Sequence, residues 1–136
     1  MSLTELTDLP KEIPTLRVTA RPNDANPGGD LFGGWIMSEI DIAGAIVAVL
    51  RAKGPVVTAA AKEIRFLRPV HVHDVASFYA KLITEGTSSM TVSVEVYVQR
   101  FWNGEDLVYK VADAVLVYVA IEKPGIKRSL PPKTNL

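Results

Sequence analysis

Residues 33–53 carry apolar side chains around almost the whole circumference of a helix. Ile36, Ile40, Ala43, Val47 and Leu50 form one stripe, while Trp35, Ile42, Ile46 and Val49 fall on other faces. Such a helix has to be wrapped rather than laid on a surface, because burying one stripe leaves the rest of its apolar surface in water. The following chain supplies the wrapping. Gly54-Pro55 stops the helix, and the apolar period then changes from helical to two. Val56–Phe66, residues 75–83 and residues 107–121 read as strands. Between the last two, Met90, Val92, Val94, Val96 and Val98 alternate with Thr91, Ser93, Glu95, Tyr97 and Gln99, a half-buried strand pattern. Residues 16–20 add a short strand ahead of the helix. The connections at 69–74, 85–87 and 102–106 are short, which makes neighbouring strands antiparallel. The expected class is α+β, a curved antiparallel sheet of about five strands around one long central helix. Its long edge strands invite pairing with a second copy of the chain.

At 136 residues the chain is expected to be one domain, over residues 15–122. Residues 1–14 read as a loosely ordered lead-in, and residues 123–136, with three prolines, as a tail. Fifteen basic residues balance fifteen acidic ones without a basic block, which argues against nucleic acid as a partner. The absence of cysteine removes disulfides and thiol catalysis. The apolar stretch 35–50 is read as too short to span a bilayer and contains Ser38, Glu39 and Asp41. The start of the chain lacks a signal-peptide pattern, so no membrane partner and a cytoplasmic location are expected.

Chemistry concentrates between Asn26 and Asp41. Pro27, Gly28 and Gly29 suit a tight turn, and Gly33-Gly34 stand where the helix begins. Bare glycine there lets a ligand approach unpaired backbone N–H groups, which can hold an anion or polarise a carbonyl. Asp41, two turns on, suits a water-activating base, which points to acyl transfer. Gly34 and Asp41 share a helix face but lie about 10 Å apart along the axis. A carbonyl about 3 Å from both groups therefore requires them to come from different subunits, with two helices antiparallel. Gly44, Ala45 and Ala48 are read as the small face that lets those helices approach.

Each candidate also has a plain structural reading. Asp41 reads equally as a solvated helix residue, and Glu39, on another face, is assigned to solvent. Asn26 is either a turn former or a donor to an acyl carbonyl, and Asp30 a cap for the helix. His71, His73 and Asp74 resemble a metal site only superficially, and no metal is expected. Arg65, Arg68, Lys81 and Arg100 read individually as ordinary surface charges. No G-x-S-x-G elbow, P-loop or dinucleotide fingerprint occurs.

The run from Asn26 through Gly-Gly-Trp-Ile-Met to Ala45, with Val57-Thr58, Phe66-Leu67-Arg68-Pro69-Val70 and Gly86-Thr87-Ser88-Ser89, resembles the hotdog-fold acyl-CoA thioesterases of the YciA type. The similarity runs over residues 16–121. It implies a hotdog fold, a homodimer that assembles further into a trimer of dimers, and hydrolysis of acyl-CoA to acid and CoA. No cofactor is implied beyond the coenzyme A of the substrate itself. The resemblance puts the catalytic carboxylate at Asp41, carbonyl-polarising glycines at Gly33 and Gly34, and a contributing amide at Asn26. It also implies substrate and CoA contacts at Phe32, Thr58, Arg68, Gly86, Thr87, Ser88 and Ser89. This chain departs from the pattern at His73, where members often have Gly, and at Thr87, where many carry a basic residue. The rival readings are a hotdog enoyl-CoA hydratase or dehydratase, which needs a His beside the helix, and a non-catalytic acyl-CoA-binding module.

Overall fold

The computed structural model describes residues 6–133. Its elements are β1 (Leu16–Thr19), a 3-10 turn at Pro22–Asp24, α1 (Gly33–Ala52), β2 (Val56–Phe66), β3 (Val75–Glu85), β4 (Ser89–Trp102), β5 (Glu105–Lys123) and β6 (Ile126–Lys127). The sheet is antiparallel in the order β1-β3-β4-β5-β2, with β6 pairing β5. The alternation in β4 decides which face is covered. Met90, Val92, Val94, Val96 and Val98 are all fully buried beneath α1, and their neighbours are only partly covered. The β4–β5 hairpin turns on Asn103-Gly104, both with positive φ, as a two-residue turn matching the twist of its strands requires.

Two details of α1 differ from the sequence reading. The helix is not wrapped all round within one chain. Ile36, Ile40, Ala43, Gly44, Ala48 and Ala52 are buried against the sheet, whereas Ile42 and Leu50 are 46% and 72% exposed. Ile42, Ala45, Ile46, Val49 and Leu50 together line an open apolar groove. Periodicity registers an apolar face but does not say whose atoms cover it. The helix bounds match the expected 33–53 closely, but the stretch 35–50 read as too short for a bilayer lies within a longer helix. Its 20 residues are long and apolar enough to cross a membrane by length and composition, although one side packs beneath the sheet.

The end of α1 is closed by residues distant in sequence. Lys53 adopts the left-handed conformation of a helix C-cap, with its N–H donating to Val49 O. The Arg128 guanidinium donates to Ala52 O at 2.8 Å, where a cation complements the helix dipole. Arg51 makes a two-pronged pair with Glu85 at 2.9 and 2.8 Å and also donates to Pro131 O. The Leu130 N–H reaches Thr87 O. Residues 126–131, within the segment expected as a tail, thus include β6 and these bracing bonds. Near the other terminus, the Thr7 N–H donates to Val108 O and Leu6 bridges Tyr109.

Candidate active site

The glycine-rich loop is built around Asn26. Its side-chain carbonyl accepts the N–H groups of Gly28 (2.9 Å) and Asp30 (3.1 Å), an Asx turn that uses the short amide in place of backbone. The Asn26 N–H closes the loop by donating to Asp30 O, and Gly29 takes φ 88°, which favours glycine. Leu31 N–H to Val70 O and Val72 N–H to Gly29 O fasten the loop to the chain entering β3.

That anchoring presents the start of α1 without a cap. Phe32 occupies the N-cap position and offers no side-chain bond, and it is itself 56% exposed. Asp30, expected to cap the helix, sits two positions too early and faces His71 Nδ1 at 3.6 Å. The Gly33 and Gly34 N–H groups consequently have no partner among the described residues. A Cβ on Gly34 would meet nothing within 4 Å, and one on Gly33 would make only ordinary contact with the Phe66 ring at 3.6 Å. Neither glycine is required by the packing of its own chain. A cavity of about 300 Å³ opens beside Gly33, lined also by Leu31, Ile36, Phe66, Arg68 and Pro69 among others.

Asp41 is half-buried and held by two side chains from the sheet. Thr58 Oγ1 donates to Asp41 Oδ1 at 2.7 Å. The Tyr118 hydroxyl lies 2.8 Å from Asp41 O and 3.1 Å from Oδ1. Thr58 and Tyr118 are register partners across β2 and β5, so one rung of the sheet meets the helix at Asp41. Thr58 also borders a register shift in β2, where a bulge re-aims side chains. Thr58, which the resemblance implies contacts substrate, is thereby tied to Asp41. Burial, followed by the charge and hydrogen bond of Asp41, pushes the Tyr118 phenol far above its usual range, so it remains a donor. The rival carboxylate, Glu39, is raised by burial and then by Asp24. Gly44 and Ala48 face the sheet rather than a neighbouring helix, because Gly44 makes room for Tyr118.

The two halves of the site lie along the edge strand β2, with Thr58 beside Asp41 and Phe66 beside Gly33. About 10 Å of helix separates them within one chain. Apart from Val56 and Ile64, all of β2 is exposed, and the groove on the free face of α1 is uncovered as well.

Residues 28–100 match the family model for the thioesterase superfamily. The acyl-CoA thioester hydrolase YciA of Salmonella typhimurium is 41% identical over 132 residues, covering 95% of this chain and 98% of that one. The chain belongs to the thioesterase superfamily. Among solved thioesterases, a hexameric hotdog-fold enzyme of Campylobacter jejuni superposes with a TM-score of 0.84 at 38% identity, covering 88% of this chain and 91% of its own. The acyl-CoA hydrolase of Staphylococcus aureus, solved with butyryl-CoA, CoA and CoA disulfide, gives 0.76 at 31%, covering 85% and 70%. That enzyme has also been solved with an Asn, a Thr and an Asp each replaced by Ala. One helix against a curved antiparallel sheet is thus the hotdog fold expected of this thioesterase.

The remaining candidates fall into two groups. Phe32 and Arg68 stand at the helix start, where Arg68 Nη1 donates to Lys110 O at 2.7 Å. Gly86, Thr87 and Ser88 form the β3–β4 turn, and Ser89 opens β4. There Gly86 N–H donates to Ser89 O, and a Cβ on Gly86 would strike Ser89 Oγ at 2.7 Å. This turn belongs to the Asp41 half, since Ser89 and Met90 pair with Val119 and Tyr118 of β5. The three other cations singled out in the sequence are engaged: Arg65 with Asp113, Lys81 with Glu12, and Arg100 with the buried Asp74. No group of three metal-ligating side chains occurs among the described residues. Sequence reasoning missed Tyr118, which reads as one more apolar position of β5. A signal was available in Gly44, since glycine inside a helix is costly and marks a close approach.

Proposed function

We propose that this thioesterase hydrolyses acyl-CoA to a free acid and CoA, in a cleft assembled by two protomers. The observation that carries the reading is the division of the site. One chain holds a clamped carboxylate and a set of bare helix-start amides that it cannot bring together, both beside an uncovered edge strand. Pairing two β2 edges antiparallel lays the Asp41 of one protomer near the partner's Gly33 and the partner's Gly34. Asp41 then deprotonates or orients a water that attacks the thioester carbonyl, or attacks it directly to give a mixed anhydride that water hydrolyses to the free acid and the restored carboxylate. The partner's glycine amides receive the developing oxyanion, an interaction worth a few kcal/mol. The C–S bond breaks, and CoA leaves as a thiolate that takes up a proton.

Asn26 shapes the loop and offers its amide nitrogen to the acyl group. Phe32, Arg68 and the Gly86–Ser89 turn contact substrate and CoA, and each catalytic step is assigned to side chains and amides of the protein. The replaced Asn, Asp and Thr of the Staphylococcus aureus enzyme have the same spacing along their chain as Asn26, Asp41 and Thr58 have here, which supports those three assignments. The hexameric Campylobacter jejuni enzyme supports a trimer of dimers, and the cytoplasm is the expected location.

The test is thiol release from a series of acyl-CoA esters, followed by mixing of inactive variants. Asp41→Ala and Gly34→Ala homodimers are expected to be inactive. Mixed dimers regain one intact site, and random pairing gives about one quarter of wild-type turnover. No recovery on mixing places both groups in the same chain and overturns the shared cleft. Binding without thiol release by the wild type favours the non-catalytic module instead.

A further inference from the structure

We propose that Tyr118 is the positioning residue for Asp41, seated in a slot made by Gly44, and that the unbonded Oδ2 is the oxygen that meets water or thioester. This rests on the acyl-CoA hydrolase reading. The side-chain hydrogen bonds of Asp41 all end on one atom: Thr58 Oγ1 at 2.7 Å and Tyr118 Oη at 3.1 Å both approach Oδ1. Oδ2 accepts nothing from the described residues. Two donors on one oxygen fix the carboxylate plane and leave the other oxygen's lone pairs for chemistry.

Tyr118 does this from a rigid base. It is fully buried in the middle of the sheet, paired with Thr58 on β2 and Met90 on β4. The same hydroxyl lies nearer to Asp41 O, at 2.8 Å, so its single proton is shared between the helix backbone and Oδ1. A carboxylate on a helix is thereby referenced to the sheet at two points.

Gly44 shows that this geometry is specified by sequence. It lies one turn beyond Asp41 on the buried side of α1, and a Cβ there would come within 2.3 Å of Tyr118 Oη and 2.9 Å of ring atoms Cε2 and Cζ. Glycine inside a helix costs about 1 kcal/mol relative to alanine. Had Tyr118 been only a core filler, phenylalanine would supply the ring without a buried hydroxyl to satisfy.

Tyr118→Phe discriminates the two roles. Positioning predicts a kcat lower by about tenfold to a hundredfold, the scale on which misplaced reacting groups cost rate, with KM for acyl-CoA unchanged. A merely structural role predicts a lower melting temperature and an unaltered kcat. A cycle with Gly44→Ala tests the slot. That substitution lowers kcat in the wild type, and lowers it much less once the hydroxyl is already absent. In an Asp41→Ala background, Tyr118→Phe leaves the residual rate unchanged. A Tyr118→Phe enzyme with kcat within twofold of wild type overturns the proposal, while loss of turnover in Asp41→Ala still upholds the hydrolase reading. Absence of thiol release from the wild type sinks that reading first. Should Tyr118→Phe fail to fold, 3-fluorotyrosine at position 118 keeps the ring and hydroxyl and changes donor strength at the cost of one small ring substituent. An unchanged kcat there overturns the proposal equally.

Discussion

Gly34→Ala adds one methyl group to the second residue of α1 and sets stability against chemistry. The added Cβ meets no atom of its own chain within 4 Å, and Gly34 does not have the positive φ that would make a side chain strained. Alanine is preferred over glycine in helices, and it also reduces the freedom of the unfolded chain. Together these stabilise the protomer by about 0.5–1 kcal/mol. For a domain of this length that corresponds to a melting temperature higher by roughly 2–4 °C. In the proposed cleft, however, the methyl over the helix-start amides occupies the space through which the thioester carbonyl approaches. Loss of one oxyanion donor costs about 2.7–4 kcal/mol, so kcat falls about a hundredfold to a thousandfold. The assay pairs thermal melting, at fixed protein concentration, with thiol release under saturating acyl-CoA. Near-normal turnover refutes the oxyanion role of these amides. A melting temperature several degrees lower refutes the steric argument, because it means the methyl collides with the partner instead of standing in open space.

Three further outcomes follow from the geometry. Ile42→Asp places a charge on the uncovered face of α1, where it costs the isolated protomer little. It should dissociate the dimer in sedimentation and abolish turnover together, and a stable active dimer contradicts the shared cleft. His73 has φ 75°, a region that favours glycine, and its N–H bond to Ala20 O is backbone only. His73→Gly should therefore raise stability by about 0.5–1 kcal/mol in chemical denaturation. Asp113 is held below its ordinary 3.8 by the hydrogen bond from Arg65, with Lys110 adding to the effect and burial opposing it. A carboxylate lowered on folding stabilises the protein above its unfolded pKa, and that contribution is lost as pH falls through the folded value. Melting curves of Asp113→Asn should accordingly fall less steeply than wild type below about pH 4.

The parts of the candidate site that lie close together in sequence were legible there. The glycine run, the helix start and Asp41 fall within sixteen residues, and helix geometry alone shows that Gly34 and Asp41 cannot share a carbonyl within one chain. The inward face of β4 was equally plain, since a period of two assigns faces without knowledge of neighbours. Tyr118 was hidden for the complementary reason. Alternation places it inward on β5 but does not give the register against β2 or the height at which α1 crosses, and those two alignments create its contact with Asp41. Gly44 was noticed as small yet assigned to the wrong neighbour, because a small residue reports that something approaches and not from which side. The exposed face of α1 was unreadable in the same way. Ile42 and Ile40 carry identical side chains, yet one waits for a partner and the other lies under the sheet.

The strand order has a consequence for how this protein is made. β2 hydrogen-bonds within its own chain only to β5, which is translated some forty residues later, and the C-terminal end of α1 is closed by Arg128 later still. A growing chain therefore emerges with β2 unpaired until β5 has been made, while α1 can begin to pack against β3 and β4. Closure of the β2 edge is thus late and governed by contacts distant in sequence, although β3, β4 and β5 pair as local hairpins, and the stage before closure is the one most exposed to aggregation.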